Sequence, residues 1–223
     1  MVVGGSFREY VLRSEGTLFT DYDGPIKTNE TGIFASVQKD IFDGAVSLNG
    51  ALRYDKAQNY DGSFTPRVGA LIDIAPNHNL RVSYQTAMRT PTMQDMYIGL
   101  DGGPAILMGS SPDSVERFYY DFPDLATGNT YRVTGDMVMN NSYRAEQFLA
   151  GTIEVANLDN VEPEYVQSRE VGYRYNGKRL SVDINAYWAK YQNFIAAKTV
   201  LVPFYGSVSN GSALAAMAAG DYE

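Results

Sequence analysis

Apolar and polar residues alternate with a period of two over one segment of the chain after another. Over 180–188 the even positions are Leu180, Val182, Ile184, Ala186 and Trp188, and the odd ones are Ser181, Asp183, Asn185 and Tyr187. Neighbouring side chains on a strand point to opposite faces, so this pattern predicts a strand between an apolar medium and a wet one. Val46, Leu48, Gly50, Leu52 and Tyr54 oppose Ser47, Asn49, Ala51, Arg53 and Asp55 in the same way. Val68, Ala70, Ile72 and Ile74 oppose Arg67, Gly69, Leu71 and Asp73, while Leu80, Val82, Tyr84 and Met88 oppose Arg81, Ser83, Gln85 and Arg89. Further strands are predicted over 165–175 and 33–41, the latter less cleanly because Gly32, Phe34 and Phe42 fall on its polar side. An opening strand over 6–13 has a mixed pattern. The expectation is an all-β, antiparallel fold of about seven strands.

The connections carry as much information. Phe42-Asp43-Gly44-Ala45, Ala75-Pro76-Asn77-His78-Asn79 and Asn176-Gly177-Lys178-Arg179 read as short turns, with Gly177 expected where a positive φ is needed. Between them lie long connections over 14–30, 56–65, 90–163 and from near Ile195 onward. Long and short alternate, as they do in a membrane barrel with turns on one rim and loops on the other. The segments have roughly the 9–11 residues with which a strand crosses a bilayer at a tilt. Tyr54, Tyr84, Tyr173, Tyr175, Trp188 and Tyr191 sit at segment ends, where interfacial aromatic girdles lie. Alternation by itself does not separate lipid from a protein core. The competing readings are a soluble β-sandwich, serving as a ligand-binding or adhesin-like module, and a passive porin-type channel.

Composition narrows the choice. Hydrophobic residues make up 44% of the chain, which argues against wholesale disorder, and 17 Tyr with 21 Gly suit strands and loops. The chain has no Cys, which removes disulfides, thiolate metal sites and thiol nucleophiles. A net charge of −8 disfavours nucleic acid as a partner. The start, Met1-Val2-Val3-Gly4-Gly5-Ser6-Phe7-Arg8, has no signal-peptide pattern; the barrel reading then expects the beginning of the gene product to lie upstream. Segment 90–163 holds eleven acidic residues against three arginines, an excess equal to the whole chain's net charge. It reads as an acidic mouth for cationic groups or divalent ions, or as a solvated surface. Within it, Phe118-Tyr119-Tyr120-Asp121-Phe122 is suited to stack on a sugar ring or grip a peptide, or else to form the small core of a folded loop.

Short helices are expected over 142–150, with Ser142 as N-cap, and over 212–219. Catalytic readings do poorly. His78 is the sole histidine and lies in a predicted turn, so zinc and Ser-His-Asp arrangements are out. No two carboxylates stand out as a glycosidase pair. Asp21-Tyr22-Asp23-Gly24 fails the calcium-loop pattern, because Gly32 occupies its twelfth position. Asp101-Gly102-Gly103-Pro104 reads as a plain turn rather than a phosphate loop. No enzyme, cofactor or resident metal is expected.

Phe64-Thr65-Pro66-Arg67-Val68-Gly69-Ala70, followed by Arg81-Val82-Ser83-Tyr84-Gln85-Thr86-Ala87-Met88-Arg89-Thr90-Pro91-Thr92, resembles the barrel region of TonB-dependent outer-membrane receptors of the Bacteroidetes type. In that family a Pro-Arg-x-Gly-Ala strand precedes one ending in aromatic-Arg-x-Pro-Thr, and Met88 stands here in place of the aromatic. Val161-Glu162-Pro163-Glu164-Tyr165 and Glu170-Val171-Gly172-Tyr173 resemble the family's Leu-x-Pro-Glu and Glu-Leu-Gly-Tyr segments, with valine at both leucines. Gly50-Ala51-Leu52-Arg53-Tyr54-Asp55 and the region from Asn185 to Ile195 fit as well. The resemblance implies that 1–223 is part of a transmembrane β-barrel, with 90–163 as a long extracellular loop and the plug domain absent. It implies import of a scarce nutrient: an iron chelate, a haem-like compound, cobalamin, a glycan or a peptide. The partners it implies are outer-membrane lipid, an inner-membrane energy-coupling protein acting through the plug, the nutrient and, in some systems, a surface lipoprotein. Arg53, Arg81, Asp183 and Asn185 are then expected to face the lumen. Phe118, Tyr119, Tyr120 and Asp121 are expected to contact substrate, on the outer surface of a Gram-negative cell.

Overall fold

A computed structural model describes residues 1–123 and 128–219. The chain runs through β1 (Val2–Leu12), β2 (Ile26–Ile41), β3 (Val46–Ala57), β4 (Tyr60–Ala75) and β5 (His78–Arg89). It continues with α1 (Met93–Tyr97), β6 (Gly99–Asp101), β7 (Ile106–Met108), α2 (Pro112–Arg117), β8 (Tyr119–Pro123), β9 (Thr130–Thr134), α3 (Gly135–Asn140), β10 (Tyr143–Arg144) and α4 (Ala145–Leu149). Last come β11 (Glu164–Asn176), β12 (Ser181–Gln192), β13 (Val200–Leu201) and α5 (Ser212–Ala219). Two compact units result: 1–11, 27–90 and 162–194 form one, and 12–26, 91–161 and 195–223 the other.

The first unit is a seven-stranded sheet in the order β1-β2-β3-β4-β5-β11-β12. Every pairing with a resolved register is antiparallel. Alternation puts one set of side chains on each face, and the register lines these sets up across strands. Val68 of β4 pairs with Tyr84 of β5, which pairs with Arg169 of β11, which pairs with Trp188 of β12. The face carrying Ile33, Val37, Leu52, Phe64, Val68, Val171 and Ile184 is apolar, and these seven side chains are 47–64% exposed. A soluble sandwich covers such a face with a second sheet. No second layer covers it among the described residues. That face is open among the described residues, and the seven strands form an open sheet that does not close on itself.

The turns are Phe42 to Ala45, residues 76–77 and residues 177–180. Ala45 N donates to the Phe42 carbonyl at 3.0 Å, with Phe42, Asp43 and Gly44 all at positive φ. At Gly177 the expectation is corrected: its φ is not in the positive region. A Cβ there would come within 2.4 Å of the Tyr175 hydroxyl, so the position needs space rather than conformational freedom. The long connection expected over 56–65 is also corrected. Here β3 continues to Ala57 and β4 starts at Tyr60, with a register shift between Asp55 and Ala57. Lys56, Gln58, Asn59 and Asp61 remove the alternation without ending the ladder, and the Tyr54 and Phe64 rings pack 4.7 Å apart across it. His78 opens β5 instead of lying in the turn, and its Nδ1 is 2.7 Å from the Tyr173 hydroxyl.

The second unit is made of short pieces, each fixed by local bonds. Helix α1 has a capping box: Asp95 N donates to the Thr92 hydroxyl at 3.1 Å, and Thr92 N donates to the Asp95 carboxylate at 2.8 Å. Ser111 caps α2, with Pro112 in its first turn, and Thr134 caps α3. Ile26, Met96 and Tyr97 form one small core, joined by Leu12, Phe19, Met93 and Val161. Tyr143, Val208 and Ala213 form a second. The helix expected over 142–150 begins only at Ala145. The Ser142 hydroxyl donates to the Val138 carbonyl at 2.8 Å instead of capping it, and Tyr143–Arg144 pairs with β13. The helix over 212–219 forms as expected.

Asp21 is 2% exposed and latches the 14–21 loop. Its carboxylate accepts from the Ser14 hydroxyl at 2.6 Å, from the amides of Glu15 at 3.0 Å and Gly16 at 2.9 Å, and from the Ser14 amide. Burial alone would raise its pKa; these donors outweigh burial and lower it to about 2. The latch is at full strength above the unfolded carboxyl value of ~4 and is lost as the pH falls through about 2. Asp21→Asn should remove on the order of 2 kcal/mol and flatten loop stability between those values. Protease cleavage of the 14–21 loop, followed as a function of pH, measures it.

Candidate functional site

Two surfaces carry the polar chemistry. On the sheet's polar face, register brings charged residues into a ladder. Arg53 and Asp55 are two positions apart on β3 and pair at 2.5 Å. Arg81 lies opposite Gly172, which lies opposite Asn185. Gly172 leaves room for both neighbours: a Cβ there would approach the Asn185 carbonyl oxygen to 2.3 Å. Through that gap Arg81 donates to Glu170 at 2.5 Å and to Asn185 at 2.9 Å. Asn185 in turn donates to Asp183 at 3.0 Å, and Asp183 also accepts from Arg174 at 2.8 Å. Arg53, Arg81, Asp183 and Asn185 thus share one face, and three of them, Arg81, Asn185 and Asp183, form one connected chain of hydrogen bonds.

The second surface is the β8–β9 hairpin in the second unit. Tyr119 pairs with Thr134, Tyr120 with Val133, Asp121 with Arg132 and Phe122 with Tyr131. One side carries Arg132, which forks onto Asp121 with two 2.7 Å bonds and lies 4.3 Å from the Tyr119 ring centroid. Tyr119 also packs on Tyr22 at 4.7 Å. The Arg132 hydrogen bonds hold the Asp121 carboxyl below its ordinary value. The other side is an aromatic ledge. Tyr120 meets Phe122 at 4.6 Å, Phe122 meets Phe204 at 5.5 Å, and Phe204 stacks on Tyr131 at 5.0 Å with Tyr205 edge-on to Tyr131 at 5.4 Å. The Tyr120 hydroxyl donates to Asp101 at 2.5 Å, which lowers the Asp101 pKa, as does the Gly103 amide.

The four residues expected to contact substrate separate here. Phe118 is 4% exposed, and its carbonyl accepts from the Gly135 amide at 3.0 Å. It holds the base of the hairpin. Tyr119, Tyr120 and Asp121 are half-buried, with Tyr120 on the ledge side and the other two on the Arg132 side. The sequence reading missed Arg132, Tyr131, Phe204 and Tyr205. Thr130 to Thr134 carries the alternation of a short strand, a signal that was available for the first two. Phe204 comes from about 70 residues away, and no local pattern points to it. The Asp101 to Pro104 segment is a turn as expected, with the Gly103 amide donating to Asp101 at 2.8 Å. Among the described residues, no three His, Asp or Glu side chains converge as metal ligands would.

The barrel geometry has counterparts among known proteins. The family model for the β-barrel of TonB-dependent receptor-like proteins matches residues 2–215. The crystal structure of the siderophore receptor PirA from Pseudomonas aeruginosa aligns over 85% of this chain and 28% of its own, with a TM-score of 0.51 and 11% identity. The siderophore receptor PirA from Acinetobacter baumannii aligns over 85% of this chain and 24% of its own, with a TM-score of 0.53 and 11% identity. No curated protein matches the sequence significantly. The chain spans about a quarter of the length of those two receptors, and the likeness to them is one of fold. With the family match covering nearly the whole sequence, and the strand order and two-faced sheet that such a barrel wall requires, the chain belongs to the TonB-dependent receptor β-barrel family.

Proposed function

We propose that the protein carrying this chain is an outer-membrane active-transport receptor that imports a scarce nutrient, with energy coupled from an inner-membrane protein through a plug domain. The observation that carries this reading is the exposed apolar face of the seven-stranded sheet backed by an ion-paired polar face. The first suits lipid and the second suits a hydrated lumen. In this reading residues 1–223 form part of the barrel domain and 90–163 an extracellular loop. Arg53, Arg81, Asp183 and Asn185 face the plug, and a surface lipoprotein is an optional cap. The role is transport and not catalysis.

Substrate contact in this reading falls to Tyr119, Tyr120 and Asp121 together with Phe122, Tyr131 and Phe204, while Phe118 supports them. Aromatic rings with a flanking carboxylate suit a ligand with planar or sugar-like faces. The solved neighbours are siderophore receptors by name, which makes an iron chelate the first class to test; haem-like compounds, cobalamin, glycans and peptides follow. The test is growth on each nutrient as limiting source, with the gene deleted and restored. Loss of growth on one class alone supports the reading. Unchanged growth on all, with the protein recovered in the soluble fraction, supports the β-sandwich module instead. Tyr131→Ala combined with Phe204→Ala should weaken ligand binding by about tenfold, taking roughly 0.5–1.5 kcal/mol per aromatic contact. Binding to whole cells measures it.

A further inference from the structure

On the sheet's polar face five arginines, Arg8, Arg53, Arg81, Arg89 and Arg174, are held by carboxylates, while Arg67 on that face has no ion pair among the described residues. Arg169 lies on the apolar face and is exposed, with its guanidinium 5.2 Å from the centroid of the Trp188 ring. Its in-register neighbours are Tyr84 and Trp188. One step toward the loop rim, Lys190 pairs with Gln167 on the same face and is also exposed. Diagonal cross-strand neighbours stand roughly 7–8 Å apart, so the two cations share one surface patch. Among the described residues no carboxylate occupies the adjoining positions of this face, which are Val82, Thr86, Tyr165, Val171, Ala186 and Gln192.

Toward the turns the face is apolar, through Val171, Tyr173, Ile184 and Val182. Two cations with no ion pair among the described residues are costly against hydrocarbon and are stabilised where anionic groups border it. Trp and Tyr mark that border. We propose that Arg169, Lys190 and Trp188 form a binding site for the phosphate of an anionic lipid headgroup on the barrel's outer wall. Arg169 donates to the phosphate, Lys190 adds a second charge, and Trp188 holds the guanidinium flat and borders the acyl chains. This rests on the outer-membrane reading above.

The test uses the receptor carrying this chain, folded into equimolar phosphatidylcholine–phosphatidylglycerol vesicles and extracted gently, with retained lipids counted by native mass spectrometry. Wild type is expected to retain phosphatidylglycerol preferentially. Arg169→Gln combined with Lys190→Gln should lower that preference by about fivefold per cation. Arg67→Gln, on the polar face, should leave it unchanged. Equal retention of both lipids by wild type, or an unchanged preference in a folded double variant, overturns the site while the transport reading stands. A wild-type receptor that stays in water without entering vesicles overturns the outer-membrane reading and the site with it.

Discussion

Ile184→Arg is expected to destabilise the folded receptor in a phospholipid bilayer by about 2–4 kcal/mol, as arginine does near the middle of a barrel's lipid-facing band. Ile184 is 61% exposed and lies in register with Tyr173, amid the apolar stretch that runs from Trp188 to Val182. A cation there has no anion within reach and must distort the bilayer or drag water in. Val182→Arg, nearer the turn rim, should cost less, because the penalty falls with depth. Ser83→Arg is the matched control on the polar face. Ser83 lies between Glu170 on one neighbouring strand and Gly69 on the other, so a new arginine there stays within the polar, ion-paired layer of the sheet. Asn185 is a poorer control, since Arg81 already donates to it and a second guanidinium would meet the first. Urea titration in bilayers measures all three. Equal losses at Ile184 and Val182, seen in water without lipid, would point to a protein core rather than a membrane.

That asymmetry of faces explains how much of the fold the sequence disclosed. Alternation is strong wherever a strand separates two unlike media, so β3, β4, β5, β11 and β12 were legible from residues such as Leu48, Val68, Val82, Val171 and Ile184. It fades over 56–65, where Lys56, Gln58, Asn59 and Asp61 interrupt it, and that segment was therefore read as a loop although β3 runs to Ala57 and β4 starts at Tyr60. Pairing partners are a different matter. β5 pairs with β11 across 74 intervening residues, Arg89 facing Glu164. Strand periodicity says nothing about that; the alternation of long and short connections, with 90–163 as one long connection, was the signal that bore on it. The second unit was least legible, because its helices have five to eight residues and no amphipathic period to detect. Their start signals are specific, as Thr92 with Asp95 shows, but the same residue types at Ser142 serve a different bond. The aromatic ledge lay half in view: the Phe118 to Phe122 cluster was visible, whereas Phe204 reaches it only through tertiary structure.

The second unit yields the second large expected effect. Tyr97 is completely buried, with Ile26 and Met96 around it. Its surroundings allow little relaxation. Gly109 lies so close that a Cβ there would sit 2.4 Å from the Tyr97 nitrogen, and the Ser111 hydroxyl donates to the Met96 carbonyl at 2.8 Å. The Thr20 amide donates to the Tyr97 carbonyl at 3.0 Å, tying the 12–26 segment to α1. Removing the ring leaves a cavity that these backbone bonds prevent from closing, so Tyr97→Ala should cost about 3–5 kcal/mol within this unit. Tyr97→Phe keeps the ring and removes only the buried hydroxyl, so it should cost less than Tyr97→Ala. The sheet has its own hydrogen-bond ladder and belongs to a separate compact unit, so its resistance to heat in detergent should stay at the wild-type level in both variants. Limited proteolysis then separates the two effects. Rapid cleavage within 91–161 of Tyr97→Ala, with the strands intact, would mean that the second unit folds around this core and presents the aromatic ledge from a rigid base. Cleavage no faster than in wild type would mean that the ledge does not depend on that core.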